Sequence, residues 1–383
     1  MLAHTMSSLR DHAHETRLCT FCPKLCRFSC PIDRVEHDEA VTPTGKQTAL
    51  YLLDKGTLEW TADTASVFYK CTGCRIQQTF CDHRVDVTPV FRAAREETVR
   101  RGLEPAPIRD LRDRMARDGH PHGSDAIQMG AVVNRVLSIA PSPSDDIYFA
   151  SCTALAKRPE AVVDFFRLVS TMGVRAPRLY AGPLLCCGMP LSDAGLESEF
   201  RVHAARIHSA IAAAPRIIVG DPDCASTLRD RYRDVGYDLS ARIVTVVGYL
   251  WEHRDALKRC LKPRDTSIVF HDSCHLGRVF GLYDEPRDLA RLAIEGDIHE
   301  PFHKRAAATC SGAGGLLPVT SPDTARGIAN IAHHELREAS GSAPIVGTCT
   351  SALAHLAASN PGAETHDLVS LLASALTASR RTP

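Results

Sequence analysis

SIVFHDSC (Ser267–Cys274) and DIYFASC (Asp146–Cys152) each run a short apolar, β-branched stretch straight into a cysteine. RIIVGDPDC (Arg216–Cys224) and APIVGTC (Ala343–Cys349) do the same. Short apolar runs without alternation are the pattern of strands buried on both faces of a parallel sheet. Sliding the C-terminal portion along itself maps Cys152 onto Cys274, Cys186 onto Cys310, Gly188 onto Gly312 and Cys224 onto Cys349 at nearly one offset, which identifies an internal repeat. Helical patterns lie between the runs, at residues 159–172, 196–213, 225–235, 286–295 and 324–339. Each half therefore alternates strand and helix. The expected architecture is α/β: two duplicated domains with parallel sheets, and ligands at loops off the strands' carboxyl ends, where the repeated cysteines fall. Plain duplication for stability would account for the repeat, but not for cysteine being the residue that recurs.

Upstream the cysteine pattern changes. Cys19, Cys22, Cys26, Cys30, Cys71, Cys74 and Cys81 crowd the N-terminal segment, and none follows until Cys152. Helical patterns at residues 89–102 and 109–117 are followed by the loop strings DGHPHGSD (Asp118–Asp125) and PSPSDD (Pro141–Asp146). The expected division is a mainly helical domain at 1–118, a linker at 119–145, a first α/β domain at 146–261 and a second at 262–383.

The chain has 383 residues, with 45 basic and 45 acidic side chains, 44% hydrophobic residues and 15 cysteines. Zero net charge without a basic run lacks the footprint of a nucleic-acid binder. The longest apolar stretch, 368–378, falls well short of the roughly 18 residues a spanning helix needs and reads as an amphipathic core helix. MLAHTMSSLRDHAHETR at the N-terminus lacks the apolar core of a secretory signal, so a cytoplasmic, reducing location is expected. An odd cysteine number with close spacings then fits metal or cluster ligation better than a disulfide framework.

LCTFCPKLCRFSCP (Leu18–Pro31) spaces its four cysteines by two, three and three residues and closes on a proline. It resembles a bacterial ferredoxin motif with one extra residue before the third cysteine. CTGCRIQQTFCD (Cys71–Asp82) resembles a second such motif, with Gln77 in place of the third cysteine and Asp82 in place of the proline. The cross-ligation of ferredoxins implies a [4Fe-4S] cluster on Cys19, Cys22, Cys26 and Cys81. Cys30, Cys71 and Cys74 would be left one thiolate short, as a [3Fe-4S] cluster, a labile [4Fe-4S] cluster with an unusual ligand such as the nearby His83, or no cluster. The competing readings are a tetrahedral zinc site from Cys19, Cys22, Cys71 and Cys74, or cysteines that are merely buried.

In the first repeat LLCCGMP (Leu184–Pro190) supplies Cys186, Cys187 and Gly188 between Cys152 and Cys224. In the second, HDSCHLGR (His271–Arg278) and TCSGAGG (Thr309–Gly315) stand where cysteine-rich CCG domains carry HDPCHLGR and CCGAGG. The chain here resembles the CCG domains of heterodisulfide reductase subunits and of the iron–sulfur subunits of glycolate and lactate oxidases. Neither repeat has the family's five cysteines. The first keeps Cys152, Cys186, Cys187 and Cys224, with Asp221 and Thr227 flanking the last. The second keeps Cys274, Cys310 and Cys349, with Ser311 and Ala352 at cysteine positions. A serine hydroxyl is a far poorer iron ligand than a thiolate, so a third cluster is expected in the first repeat; Cys274, Cys310 and Cys349 stay candidate cofactor ligands of the second, whose other reading is a scaffold or docking surface. Gly188, Gly312, Gly314 and Gly315 serve either close approach to a ligand or ordinary turns. His271 and His275 are candidates for ligation, hydrogen bonding to sulfur or capping. Cys260, in LKRCLKP, fits neither motif.

Taken whole, the chain is similar to the iron–sulfur subunit of glycolate oxidase and to the D-type subunit of heterodisulfide reductase. TPTGK (Thr42–Lys46) and VDV (Val85–Val87) extend the likeness. The resemblance implies an electron relay from a flavoprotein dehydrogenase, one acting on a 2-hydroxy acid among the options, to a quinone, a thiol–disulfide couple or another acceptor. Membrane association would be peripheral, through a partner. No Gly-rich dinucleotide fingerprint, Walker loop or GxSxG elbow occurs, so flavin or nicotinamide would belong to the partner. The alternatives are a disulfide reductase using a CCG-bound cluster and a metal-binding scaffold without redox work.

Overall fold

The computed structural model describes residues 9–123, 126–140, 143–182 and 184–377. The four quoted runs form the strands β1 (Ile147–Phe149), β3 (Ile217–Val219), β5 (Ile268–His271) and β7 (Ile345–Gly347). With β2 (Arg178–Leu179), β4 (Ile243–Thr245), β6 (Ile298–His299) and β8 (Thr365–Asp367) they make two four-stranded sheets. Strand order is β2-β1-β3-β4 in one and β6-β5-β7-β8 in the other, and every pairing is parallel. All residues of β1, β3, β5 and β7 are buried, which is why these runs do not alternate.

The expected helices appear as Thr88–Arg100, Ala106–Asp118, Pro159–Thr171, Glu197–Ile211, Asp284–Arg291 and Pro322–Ser340. Three expectations change. The stretch 225–235 is not one α-helix: it runs Pro222–Ser226, then a π-helical turn at Thr227–Arg231, then Tyr232–Asp234. Ser226 and Thr227 both donate their hydroxyls to the Asp223 carbonyl, a competition of side chain with backbone that loosens the turn. The stretch read as linker carries a helix, Ala126–Ile139, whose Val132 and Val136 pack into the same core as Phe165 and Phe166. The C-terminal helix stops at Ser374, before the expected end, and residue 378 lies outside the described residues.

The N-terminal domain is helical, as expected. TPTGK starts the helix Pro43–Asp54: Thr42 caps it by accepting from the Gly45 N–H at 2.9 Å, and Pro43 occupies the first turn. Gly45 is needed there because a Cβ would stand 2.0 Å from the Glu39 carbonyl oxygen.

Buried Arg95 ties the three parts together. Its guanidinium donates to the carbonyls of Phe68 (2.8 Å) and Cys71 (3.0 Å) in the helical domain, of Asp193 (2.7 Å) in the first sheet domain and of Gly315 (3.3 Å) in the second. The glycine loop of the second domain lies directly on the CTGC loop. A Cβ on Gly314 would meet the Thr72 carbonyl oxygen at 2.3 Å, and one on Gly315 the Cys71 carbonyl oxygen at 1.9 Å. Arg278 closes the other side, donating to the Cys74 carbonyl at 2.9 Å.

Candidate metal centres

All fifteen cysteines are free. The four sheet-derived loops place theirs alike, in or beside helices that begin at the strands' carboxyl ends. Ser151 caps the helix opening with Cys152, accepting from the Ala154 N–H at 2.9 Å. In the equivalent loops Asp221 caps Pro222–Ser226 and Cys349 caps Thr350–Ser359, each accepting from a first-turn N–H. This corrects the repeat alignment. The counterpart of Cys349 is Asp221, not Cys224, and Cys224 takes the place of Ala352, three residues into the helix. Each half thus keeps a different member of one CxxC pair.

Cys22, Cys26 and Cys81 lie close enough to Cys19 to act on its thiol. The Cys19 thiol is pushed up to about 12 by burial and then by Cys81, Cys26 and Cys22. Burial, with Cys81 and Cys22, holds Cys26 at about 11. A multivalent cation beside them would stabilise Cys19 and Cys26 as thiolates, so the donor set suits a cluster. Of the zinc set Cys19, Cys22, Cys71 and Cys74, Cys74 pairs with Cys310.

Cys30, Cys71 and Cys74 line one cavity with Lys46 and Gln77. His83 is exposed and is not among the lining residues, while the side-chain nitrogen of Gln77 is buried without a hydrogen-bond partner. Lys46 is fully buried; burial lowers its affinity for a proton, while Cys30 and Cys71 oppose this. Its ammonium donates to the Val41 carbonyl and lies 5.5 Å from the Phe91 ring centre. The TPTGK string therefore delivers an amine to the thiols, and Cys30 and Cys71 favour its charged form. The fourth sulfur beside this set comes from the second sheet domain. Cys310 donates to Cys74, whose thiol is held at about 5 mainly by that bond, against burial and with help from Arg278 and Thr72. Sequence reasoning missed this pairing, which spans two domains and leaves no local pattern.

Cys152, Cys186, Cys187 and Cys224 also converge. Cys187 is held low by hydrogen bonds from Cys186 and Cys224, and Cys152 at about 6 chiefly by Cys186, with burial opposing and His122 assisting. Three neighbours fix the surrounding backbone and loop: His203 Nε2 lies 2.6 Å from the Cys186 carbonyl, the Tyr232 hydroxyl donates to the Cys187 carbonyl at 3.0 Å, and His122 Nε2 lies 3.2 Å from Thr153 Oγ1. None of these was singled out from sequence, although His122 sits in the quoted DGHPHGSD loop. Gly188, at φ +83°, has His203 2.9 Å from where its Cβ would be, so this glycine serves both a turn and a close approach.

The second repeat's Cys274 and Cys349 face the first repeat. His275 Nδ1 lies 2.5 Å from Asp223 Oδ1, and the Cys349 sulfur lies 3.8 Å from oxygens of both Asp221 and Asp223. Asp272 of the HDSCHLGR string has another task, a two-pronged buried pair with Arg287 at 2.9 and 2.8 Å. Cys260 donates to the Thr171 carbonyl at 3.3 Å, away from every other cysteine group described.

The family of cysteine-rich CCG domains matches this chain twice, at residues 147–229 and 268–357. The chain is 24% identical over 268 residues to the D-type subunit of the dihydromethanophenazine:CoB–CoM heterodisulfide reductase of Methanosarcina barkeri, covering 67% of this chain and 64% of that protein. It is 28% identical over 172 residues to the "Probable iron-sulfur-binding oxidoreductase FadF" of Bacillus subtilis, covering 41% and 23%. It is 27% identical over 144 residues to lactate utilization protein A 2 of Bacillus cereus, covering 35% and 58%. The match thus spans less than two-thirds of these relatives' own lengths. Among the described residues no helix is long and apolar enough to cross a membrane. Two α/β domains that present cysteines at equivalent strand ends thus match the CCG cysteine-rich domain, and the chain is similar to subunits of iron–sulfur oxidoreductases that carry it.

Proposed function

We propose that this chain relays electrons from a flavoprotein dehydrogenase to a quinone, a thiol–disulfide couple or another acceptor. One observation carries the reading: the thiol groups form a connected series through the interior. Cys71 shares an apolar cluster with Cys19 and Cys81, while Cys74 shares the next with Cys30 and Cys310. Cys274 adjoins Cys74 and Asp223, and Cys187 acts on Asp221. A cluster at each thiol group supplies one-electron redox capacity. The chain's own residues set its surroundings: Lys46 stands at Cys30 and Cys71, which favour its charged form, and the glycine loop packs on the backbone of the CTGC loop. Cys22 is the least buried thiol of the first group's loop, and Phe21, Leu25 and Phe28 around it are exposed, which suits docking of a redox partner.

In this reading the first [4Fe-4S] cluster sits on Cys19, Cys22, Cys26 and Cys81, and a second sits on Cys30, Cys71 and Cys74 with Cys310 as the missing thiolate. A third sits on Cys152, Cys186, Cys187 and Cys224. The units 1–118, 146–261 and 262–383 each contribute, and a cytoplasmic location keeps the thiols reduced.

The test is anaerobic purification with iron and sulfide quantitation and EPR before and after dithionite, on wild type and on a C186A/C187A variant. Reducible clusters near eight irons or more, in part lost with the variant, support a relay reaching the first CCG domain, since each cubane holds about four. Zinc without iron overturns it. A second reading, disulfide reduction at Cys186–Cys187, is favoured by the stabilised Cys187 thiolate. Turnover of disulfides with an artificial donor would support it, and none at full iron occupancy would exclude it.

A further inference from the structure

The seam between the two CCG domains carries a donor set unlike the all-thiol groups. Carboxylate, thiol and imidazole atoms of Asp223, Cys274 and His275 all lie within 4.8 Å of one another, and so do those of Asp221, Asp223 and Cys349. Asp223 belongs to both sets, and its oxygens lie 2.5 Å from His275 Nδ1 and 3.8 Å from the Cys349 sulfur. A tetrahedral ion with bonds of about 2.0–2.3 Å holds its donors roughly 3.3–3.8 Å apart, so these separations bracket its needs.

Two further observations point to a ligand. The two carboxylates are buried side by side, and no lysine or arginine is ion-paired with either among the described residues; Asp221 is held instead by the N–H groups of Asp223 (3.0 Å) and Thr350 (3.1 Å). The cavity lined by Asp223, Cys274, His275 and Cys349 is also lined by His271 and Ser273. His271 is 94% buried, being 6% exposed, and its Nε2 has no hydrogen-bond partner; nor has the hydroxyl of Ser273, 3% exposed. Buried polar groups are rarely left so.

We propose that Asp223, Cys274, His275 and Cys349 form a mononuclear site for a borderline-soft divalent cation, zinc foremost, that clamps the two CCG domains together. One ligand comes from the first domain and three from the second. Mixed N, O and S donors are zinc's own set, whereas an iron–sulfur cluster asks for thiolates. Asp221 does not ligate: by accepting from two backbone N–H groups it fixes the loop that presents Asp223. The site is structural, since all four positions are filled by protein. The inference does not rest on the electron-relay reading.

The experiment uses the full chain, purified anaerobically and freed of loose metal, with zinc and iron measured by mass spectrometry. Wild type is compared with H275A, with the near-isosteric D223N, and with C260S as a control remote from the seam. The expected result is about one zinc per chain in wild type and C260S, a fall of tenfold or more in both seam variants, and unchanged iron. Zinc-edge X-ray absorption should show sulfur together with nitrogen or oxygen neighbours. If wild type takes up no zinc when titrated with zinc chloride, the proposal fails. It fails equally if D223N keeps its zinc, or if iron leaves with the seam variants. Should H275A not fold, D223N alone decides, its fold checked by the EPR signal of the N-terminal domain or by circular dichroism. Zinc without iron would overturn the relay and leave this site standing.

Discussion

Lys46 and Asp367 show how burial makes single residues sensitive. Lys46→Met removes the only cation that the TPTGK helix brings to Cys30 and Cys71. Loss of a nearby positive charge favours the oxidised state, so the potential of the centre on those thiols should fall by on the order of 50 mV, read by EPR-monitored redox titration. Asp367 caps the helix Leu368–Ser374, accepting from the Val369 N–H at 2.9 Å. Burial raises its carboxyl to about 6, against that bond and Arg158. A raised carboxyl binds its proton more tightly in the folded chain than in the unfolded one. Its contribution is therefore favourable below the unfolded value of 3.8 and declines as pH rises through about 6. Asp367→Asn should flatten the loss of urea stability between about pH 4 and 6.5, gaining up to about 3 kcal/mol over wild type at the upper end. Neither environment could be foreseen from sequence. TPTGK was recognisable as a string, but its purpose depends on which thiols the helix start meets.

At the scale of elements, the strands were legible because a doubly buried strand needs an unbroken apolar run, and β1, β3, β5 and β7 supply one each. The helix Ala126–Ile139 was not, because polar loops on both sides gave the whole segment the look of a connector. The π-helical turn at Thr227–Arg231 depends on two hydroxyls choosing one carbonyl, which no periodicity encodes. The glycine loop shows the reverse case, a motif visible in sequence whose reason is contact. Gly315→Ala would place a Cβ 1.9 Å from the Cys71 carbonyl oxygen. It should cost about 1–3 kcal/mol by overpacking and lower iron retention at Cys30, Cys71 and Cys74 more than at Cys19, Cys22, Cys26 and Cys81. Iron content set beside thermal unfolding of this variant checks both parts.

For the whole molecule, cysteine density set the helical N-terminal segment apart from the two sheets, but the way these parts lock was not readable. Arg95 looks like any charge on an amphipathic helix, yet it is buried and donates to all three domains. Arg95→Met would strand four buried carbonyls and should destabilise the chain by about 3–5 kcal/mol. Urea unfolding should then separate into more than one transition as the domains lose their common tie, which fluorescence and circular dichroism together would reveal.

The order of the ligands along the chain has a consequence for biogenesis. Cys19, Cys22, Cys26 and Cys81 have all left the ribosome while most of the protein is still unmade, whereas the group of Asp223, Cys274, His275 and Cys349 waits for the last strands. On the proposed ligand sets a nascent chain would accept its first cofactor early, whereas Cys74 would not meet Cys310, nor the seam close, until synthesis is nearly finished. Maturation would then be sequential, and a message truncated before Cys349 would yield a protein primed at one end and open at the other.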